Sequence, residues 1–357
     1  MPKKAPEPVF DGHNDVLFRL LKKHTVAAER DFLDGDGAGH LDLPRMRQGG
    51  FAGGLFAVYV ASPGGSLDKL DDLMKGARYD VPLPPLMEAA EAVPTTLAMM
   101  AMLFRIERAS EGAVKVCRTA TDIRSCISSG TLAAVLHMEG AEAIDRDLEA
   151  LDVFYQAGLR SLGPVWSRPT IFGHGVPFRY PSTGDTGPGL TEDGKRLVKA
   201  CDSLGIAIDL SHMTEKGFWD VAKLSTKPLI ASHSNAYAIC PHSRNLTDKQ
   251  LAAIAASGGI VGLNFATCFL RPDGQRGADT PLDVMLKHLD HLIERLGVEH
   301  VGLGSDFDGA MIPDGIGDVT GLPALVAAMR THGYDEATIA RLCHKNWIEL
   351  LARSWGG

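Results

Sequence analysis

The sequence predicts a (β/α)8 TIM barrel, and three observations carry that prediction. Short apolar runs that read as strands recur eight times along the 357 residues. Helical segments separate most of them, and the runs look buried on both faces, as parallel strands covered by helices are. No G-x-G-x-x-G or Walker pattern follows the first run, where a doubly wound open sheet usually carries its phosphate loop.

In chain order, residues 9–11 and 54–59 are the first two strands. Residues 66–124 then exceed what one crossover helix needs, so an inserted helical segment is expected after strand 2. Pro82, Pro84, Pro85 and Pro94 break it, and Met99, Met100 and Met102 read as core packing rather than a cofactor site. Residues 132–137 and 162–165 are strands three and four. The Gly- and Pro-rich stretch 167–188 that follows is long enough to cover a site at a barrel mouth. Thr191-Glu192-Asp193 opens a helix with Leu197, Val198, Cys201 and Leu204 at helical spacing and Gly205 as its stop.

Residues 206–210 and 228–231, strands five and six, end at Ser211-His212 and Ser232-His233. Thr247-Asp248-Lys249-Gln250 is a capping box for a helix that Gly258-Gly259 ends, and 260–264 is the seventh strand. Thr280-Pro281 caps a helix whose Leu282, Met285, Leu286, Leu289, Leu292, Ile293 and Leu296 form one stripe. Strand eight, 301–304, runs into Ser305-Asp306-Phe307-Asp308. Amphipathic C-terminal helices at 322–332 and 335–351 are expected to pack on the barrel wall. Residues 1–357 thus read as one barrel domain.

Composition narrows the function classes. The chain is 45% hydrophobic and 22% charged, which excludes disorder. Its net charge of −8 excludes the basic footprint of a nucleic-acid binder. The longest apolar run, residues 97–104, is far short of the ~18–20 residues of a membrane span, so no membrane partner is expected. Six cysteines are scattered without a Cys-x-x-Cys pair, and no apolar stretch follows Met1-Pro2-Lys3-Lys4. Both point to reduced thiols in a cytoplasmic protein.

The chemistry gathers where strands end. His13 and Asp15 follow strand one as His-x-Asp, Glu139 follows strand three, and His212, His233 and Asp306 follow strands five, six and eight. In a barrel those positions converge on the C-terminal mouth. Alternation along an extended strand sends His13 and Asp15 to the same side. Each residue also has a bland reading: with 13 histidines some fall at strand ends by chance, and Asp306 could cap a helix. A lone buried carboxylate such as Glu139 is harder to dismiss, because it is costly unless paired or coordinating. Together these are N/O ligands suited to Zn2+ or a similar divalent ion. They are too many for one tetrahedral ion, so two are expected. Glu139 would bridge them, with His13 and Asp15 completing one and His212 and His233 the other. A water shared between two cations loses a proton near neutral pH and becomes a strong nucleophile.

Six motifs, in order from Phe10 to Gly309, resemble those of the renal (membrane) dipeptidase family, a binuclear-zinc branch of the metal-dependent hydrolase barrels. They are Asp11-Gly12-His13-Asn14-Asp15, Met138-Glu139-Gly140, Leu210-Ser211-His212, Ser232-His233-Ser234, Ser243-Arg244-Asn245 and Gly304-Ser305-Asp306-Phe307-Asp308-Gly309. Lys345-Asn346 also fits. The resemblance implies the same ligand set, with Glu139 as the bridge. It further implies that Asp306 shuttles the proton and that Arg244 clamps the substrate's terminal carboxylate, a task suited to a planar guanidinium. One position departs from the family: Trp166 stands where members carry a histidine that helps bind the substrate carbonyl. Its indole N–H can donate, and His174 in the loop beyond is the other substrate-binding candidate.

The function so implied is zinc-dependent hydrolysis of dipeptides, with a D-residue tolerated at the C-terminal position. The expected partner is a small-molecule dipeptide, and a homodimer is compatible with the sequence. Two other readings stay open, a related metal hydrolase acting on a small amide or ester and a non-catalytic metal-binding homologue. No lysine stands between Arg160 and Pro177 to serve as the modified bridging lysine that some such hydrolases use.

Overall fold

The computed structural model describes residues 5–23, 28–62 and 72–356. Met1-Pro2-Lys3-Lys4 and residues 66–71 of the expected insertion lie outside them. Eight parallel strands form the barrel: β1 (Val9–Asn14), β2 (Phe51–Tyr59), β3 (Leu132–Glu139), β4 (Leu159–Gly163), β5 (Ala207–Ile208), β6 (Ile230–Ala231), β7 (Ile260–Leu263) and β8 (Val301–Leu303). Around the sheet they run β5-β4-β3-β2-β1-β8-β7-β6. The ring closes where Asp209 bridges Ile230 and the Leu210 N–H donates to the Ile230 carbonyl at 2.7 Å. All eight residues of β3 are buried, as expected of a strand covered on both faces.

The register sets which side chains share the barrel interior. Seven consecutive pairs join β2 to β3, from Gly53 opposite Ala133 to Tyr59 opposite Glu139. Alternation then puts Leu55, Ala57 and Tyr59 on the same side as Val135, His137 and Glu139. Tyr59 and Glu139 therefore stand side by side at the C-terminal mouth.

Several elements match their sequence signals closely. Thr191 caps Glu192–Leu204 by accepting from the Gly194 N–H, and Gly205 ends that helix at φ 72°. Thr247 and Gln250 form the expected capping box of Asp248–Ala256. Elsewhere the structure departs from expectation. The fourth strand starts three residues earlier than the expected 162–165 and stops before Pro164, which has no N–H for a ladder. Thr280 does not cap Leu282–Leu296; its hydroxyl donates to the Gly277 carbonyl. A short strand absent from the sequence reading, Val114–Val116, pairs with the first residues of β3 on the flank that β4 occupies further along.

Three differences bear on the barrel ends. The stretch 167–188 is tied down by a two-residue antiparallel ribbon, Tyr79 opposite Tyr180 and Asp80 opposite Arg179, which joins it to the insertion after β2. The last helix, Asn346–Trp355, does not lie on the outer wall. Its Trp347 is fully buried in a cluster with Phe10, Leu55, Val135, Ile230 and Ile260, so it closes the end of the barrel where the strands begin. Gly12 leaves the room: a Cβ there would come within 2.4 Å of the Trp347 ring.

The insertion contains a 21-residue helix, Ala89–Ala109, long and apolar enough by length and composition to cross a membrane. It does so on an averaged composition that tolerates the Glu91 and Thr95-Thr96 interruptions, while no uninterrupted apolar run in it reaches that length. In the fold its Ala92, Met99, Met102, Leu103 and Ile106 are buried.

Candidate active site

Each candidate ligand sits at or just beyond the C-terminal end of a barrel strand. Glu139 is the last residue of β3, and its Oε1 lies 3.1 Å from His212 Nε2, 3.3 Å from His233 Nε2 and 3.7 Å from His13 Nε2. His13 Nε2 is also 3.3 Å from Asp15 Oδ2. Ligand atoms of His13, Glu139 and His233 fall within 4.8 Å of one another, and so do those of His13, Asp15 and Asp306. The fold thus brings together all five sequence-predicted ligands and Asp306, from five different strands.

The residues fit a metal. Both ring nitrogens of His13 are buried without a hydrogen-bond partner. The Nε2 atoms of His212 and His233 are only 3.1 Å apart and face the same carboxylate oxygen. Burial pushes both imidazoles well below their ordinary range, and Arg244 and His13 act in the same direction. They are therefore neutral, the form that binds metal. Two neutral imidazoles and a carboxylate in such contact, away from water, call for a shared cation. Burial would also lower His13, but the facing Glu139 and Asp15 carboxylates override it and raise its pKa to about 10. Positive charge is what this cluster lacks.

Local structure fixes the ligand orientations. The Ser232 hydroxyl donates to Asp209 Oδ2 at 2.5 Å and lies 2.7 Å from His233 Nδ1. With its one proton committed to Asp209, Ser232 must accept from His233 Nδ1–H, which leaves the Nε2 lone pair facing the cluster. Ser167 Oγ holds His212 Nδ1 at 2.8 Å. The backbone is left-handed at His212 (φ 68°), Asp306 (φ 61°) and Asp308 (φ 67°), a conformation costly for non-glycine residues and concentrated at functional sites. Asn264 Nδ2 donates to Asp306 Oδ2 at 2.9 Å, so Asp306 is not a helix cap. Burial, with Asp15 facing it, raises the Asp306 carboxyl above the ordinary range.

A cavity of about 90 Å3 opens onto the cluster. Phe18, Tyr59, Trp166, Phe178 and Phe269 line it beside Asp15, Glu139, His212 and Asp306. Arg244 is buried behind this wall with its guanidinium 5.4 Å from the Phe269 ring centre, lining a smaller adjoining cavity with His212 and Ser234. Its Nη2 donates to the His233 carbonyl at 3.0 Å, while its Nε has no partner.

The model of one protein family, described as membrane dipeptidase (peptidase family M19), matches residues 4–353. The chain belongs to the membrane dipeptidase family. A metallopeptidase from Rhodobacter sphaeroides, solved with a phosphinate mimic of the dipeptide L-Ala-D-Ala, is similar at 60% identity. It superposes with a TM-score of 0.96, over 98% of this chain and 100% of that one. A protein of Klebsiella pneumoniae described only by its place in the pqqA 5′ region is 48% identical over 256 residues, 72% of this chain and 94% of that protein. The dipeptidase tcpJ of Claviceps purpurea is 28% identical over 96% of this chain and 76% of its own length. The protein is thus a metal-dependent dipeptidase.

In this dipeptidase Trp166 lines the pocket, its ring 5.7 Å from that of His212. His174 is not among the described residues that line the pocket; its carbonyl accepts from the Thr214 N–H. Sequence reasoning missed Tyr59, Asn264, Ser167 and the Asp209–Ser232 pair. The signal that found Glu139 applies equally to Tyr59, a polar group closing an apolar strand. The serines carry no such signal, because a small hydroxyl next to a histidine is common everywhere.

Proposed function

We propose that the protein is a zinc-dependent dipeptidase that hydrolyses the peptide bond of L-Xaa-L-Xaa and L-Xaa-D-Xaa dipeptides. Two Zn2+ ions would be held by His13 and Asp15 and by His212 and His233, with Glu139 shared between them. The observation that carries this reading is the single Glu139 oxygen within 3.1–3.7 Å of three histidine Nε2 atoms. When bound, such a pair of ions supplies a polarised carbonyl and a water that ionises near neutral pH.

The remaining steps fall to the chain's own groups. Asp306 takes the water proton and delivers it to the leaving amine. Its raised pKa suits a group that must hold a proton before passing it on, and Asn264 keeps one carboxylate oxygen oriented meanwhile. Arg244 fixes the substrate's terminal carboxylate; its unpartnered Nε and its placement against Phe269 support that role. With the chain terminus gripped, longer peptides fit poorly. The L-Ala-D-Ala mimic carried by the Rhodobacter relative supports acceptance of a D-residue in the second position.

Metal analysis should give about two zinc equivalents per chain. Glu139→Ala should lose metal and activity together, whereas Asp306→Asn should keep its metal and lose turnover. Zinc-loaded protein that cleaves no member of an L,L- and L,D-dipeptide panel would sink the proposal.

A further inference from the structure

Tyr59 is the last residue of β2 and the direct neighbour of Glu139 across the ladder. Its side chain is buried, yet it lines the cavity over the metal ligands. The ring is held from two sides: Phe18 meets it edge-on at 5.1 Å, and Trp166 lies 5.1 Å away at a 59° tilt. No described residue hydrogen-bonds its hydroxyl; the groups that act on it do so through space, Glu139 foremost, then Arg168, Asp15 and Glu142. A buried phenol normally finds a partner. Among the described residues it has none, and Tyr59 lines the cavity.

The chemistry around it defines what that partner is. Next to Tyr59, Asp15, Glu139 and Asp306 are acceptors and His212 turns its Nε2 lone pair to the cluster, while the other donors lining the cavity are the Trp166 indole and Arg276. The backbone N–H groups of Gly309 and Ala310 already donate to the Asp306 carbonyl. A substrate ammonium is well served by three carboxylates, but a peptide carbonyl oxygen needs a donor. A phenol is protonated near neutral pH and so can donate.

We propose that Tyr59 is a further catalytic residue, whose phenol O–H donates to the scissile carbonyl oxygen and tightens on it as negative charge develops there. The proton stays on the tyrosine, so the step is a hydrogen bond and not a transfer. Preorganised donors of this kind act mainly on the transition state, since the ring clamp removes the cost of aligning them. The inference rests on the dipeptidase reading of the same site.

Tyr59→Phe removes one oxygen and leaves the aromatic wall in place. The variant should lose about 100-fold in kcat with KM changed less than about threefold. Its metal content and melting temperature should match the wild type. Binding of a phosphinate dipeptide, a tetrahedral anion that mimics the developing charge, should weaken at least about tenfold by calorimetry. Unchanged kcat and unchanged phosphinate affinity would overturn the inference, and so would loss of metal or of folded protein in the variant, since Tyr59 would then be structural. Failure of the dipeptidase reading itself shows separately, as a wild-type enzyme that cleaves no dipeptide.

Discussion

Ser232 shows how a residue with no catalytic chemistry of its own can decide whether a site works. Its hydroxyl gives its proton to Asp209 and so must accept from His233, which fixes one imidazole tautomer. Asp209 is itself anchored by the backbone N–H groups of Ser211 and Ser232 at 3.0 and 2.8 Å, and it lies 3.7 Å from His137 Nε2. The orientation of His233 is therefore set by a chain of buried contacts that ends in the polypeptide backbone. Ser232→Ala breaks that chain without touching a ligand atom. The expected result is a metal affinity about 10–100-fold weaker, measured by competition with a chelator, with catalysis largely restored at saturating metal. Equal affinity in the variant and the wild type would mean that packing alone holds the ring. Gly309 makes the same point through space: a Cβ there would come within 2.1 Å of Asp15 Oδ2 and 2.5 Å of Asp306 Oδ1.

At the scale of elements, the helix Leu282–Leu296 shows what its apolar stripe conceals. His288 lies among the buried leucines, accepts from the Ala236 N–H at Nδ1 (3.2 Å) and donates from Nε2 to the Leu270 carbonyl (2.9 Å). Both nitrogens are used only while the ring is neutral, and burial holds its pKa down at about 4. A histidine depressed in the folded state stabilises fully above its ordinary pKa near 6.5, and that stability is lost as pH falls from there to about 4. The loss amounts to about 3 kcal/mol at most, so unfolding free energies should fall over this window, and less so in His288→Gln. Parallel curves for the two proteins would remove His288 from the account. Such a residue also marks what the sequence could and could not convey. The strand ends, the caps at Thr191 and Thr247 and the residues that cluster at the mouth were legible, because each is a change of pattern at a boundary. Tyr59 and Asn264 were not, because strands buried on both faces carry no alternation from which to read direction, and His288 was not, because one polar residue beside an apolar stripe reads as the edge of the exposed face. Val114–Val116 escaped for a related reason: three residues, Lys115 exposed among them, are too few to show a period.

At the scale of the whole molecule, the barrel interior changes character along its axis. Where the strands begin, Phe10, Leu55, Val135, Ile230 and Ile260 pack on Trp347 as an apolar floor. One step up, His137, Ser161, Asp209 and Ser232 form a polar layer with few unmet groups, and above it stand the candidate ligands. From Val135 to Glu139 is four residues, about 13 Å of strand. This division assigns stability to one end and chemistry to the other, as the fold generally does. Trp347 is its sharpest test. The side chain is fully buried, and its indole N–H donates to the Leu303 carbonyl at 2.9 Å. Gly302 also makes way for it, since a Cβ there would fall 2.5 Å from the indole nitrogen. Trp347→Ala should cost about 3–5 kcal/mol of folding stability, read as a lower urea midpoint. Below the unfolding transition, kcat, KM and metal content should stay at wild-type values, because the polar layer and its hydrogen bonds to Asp209 do not depend on the indole. A variant that lost metal while still folded would show that the floor reaches through the barrel to the ligands, and that the two ends are one unit.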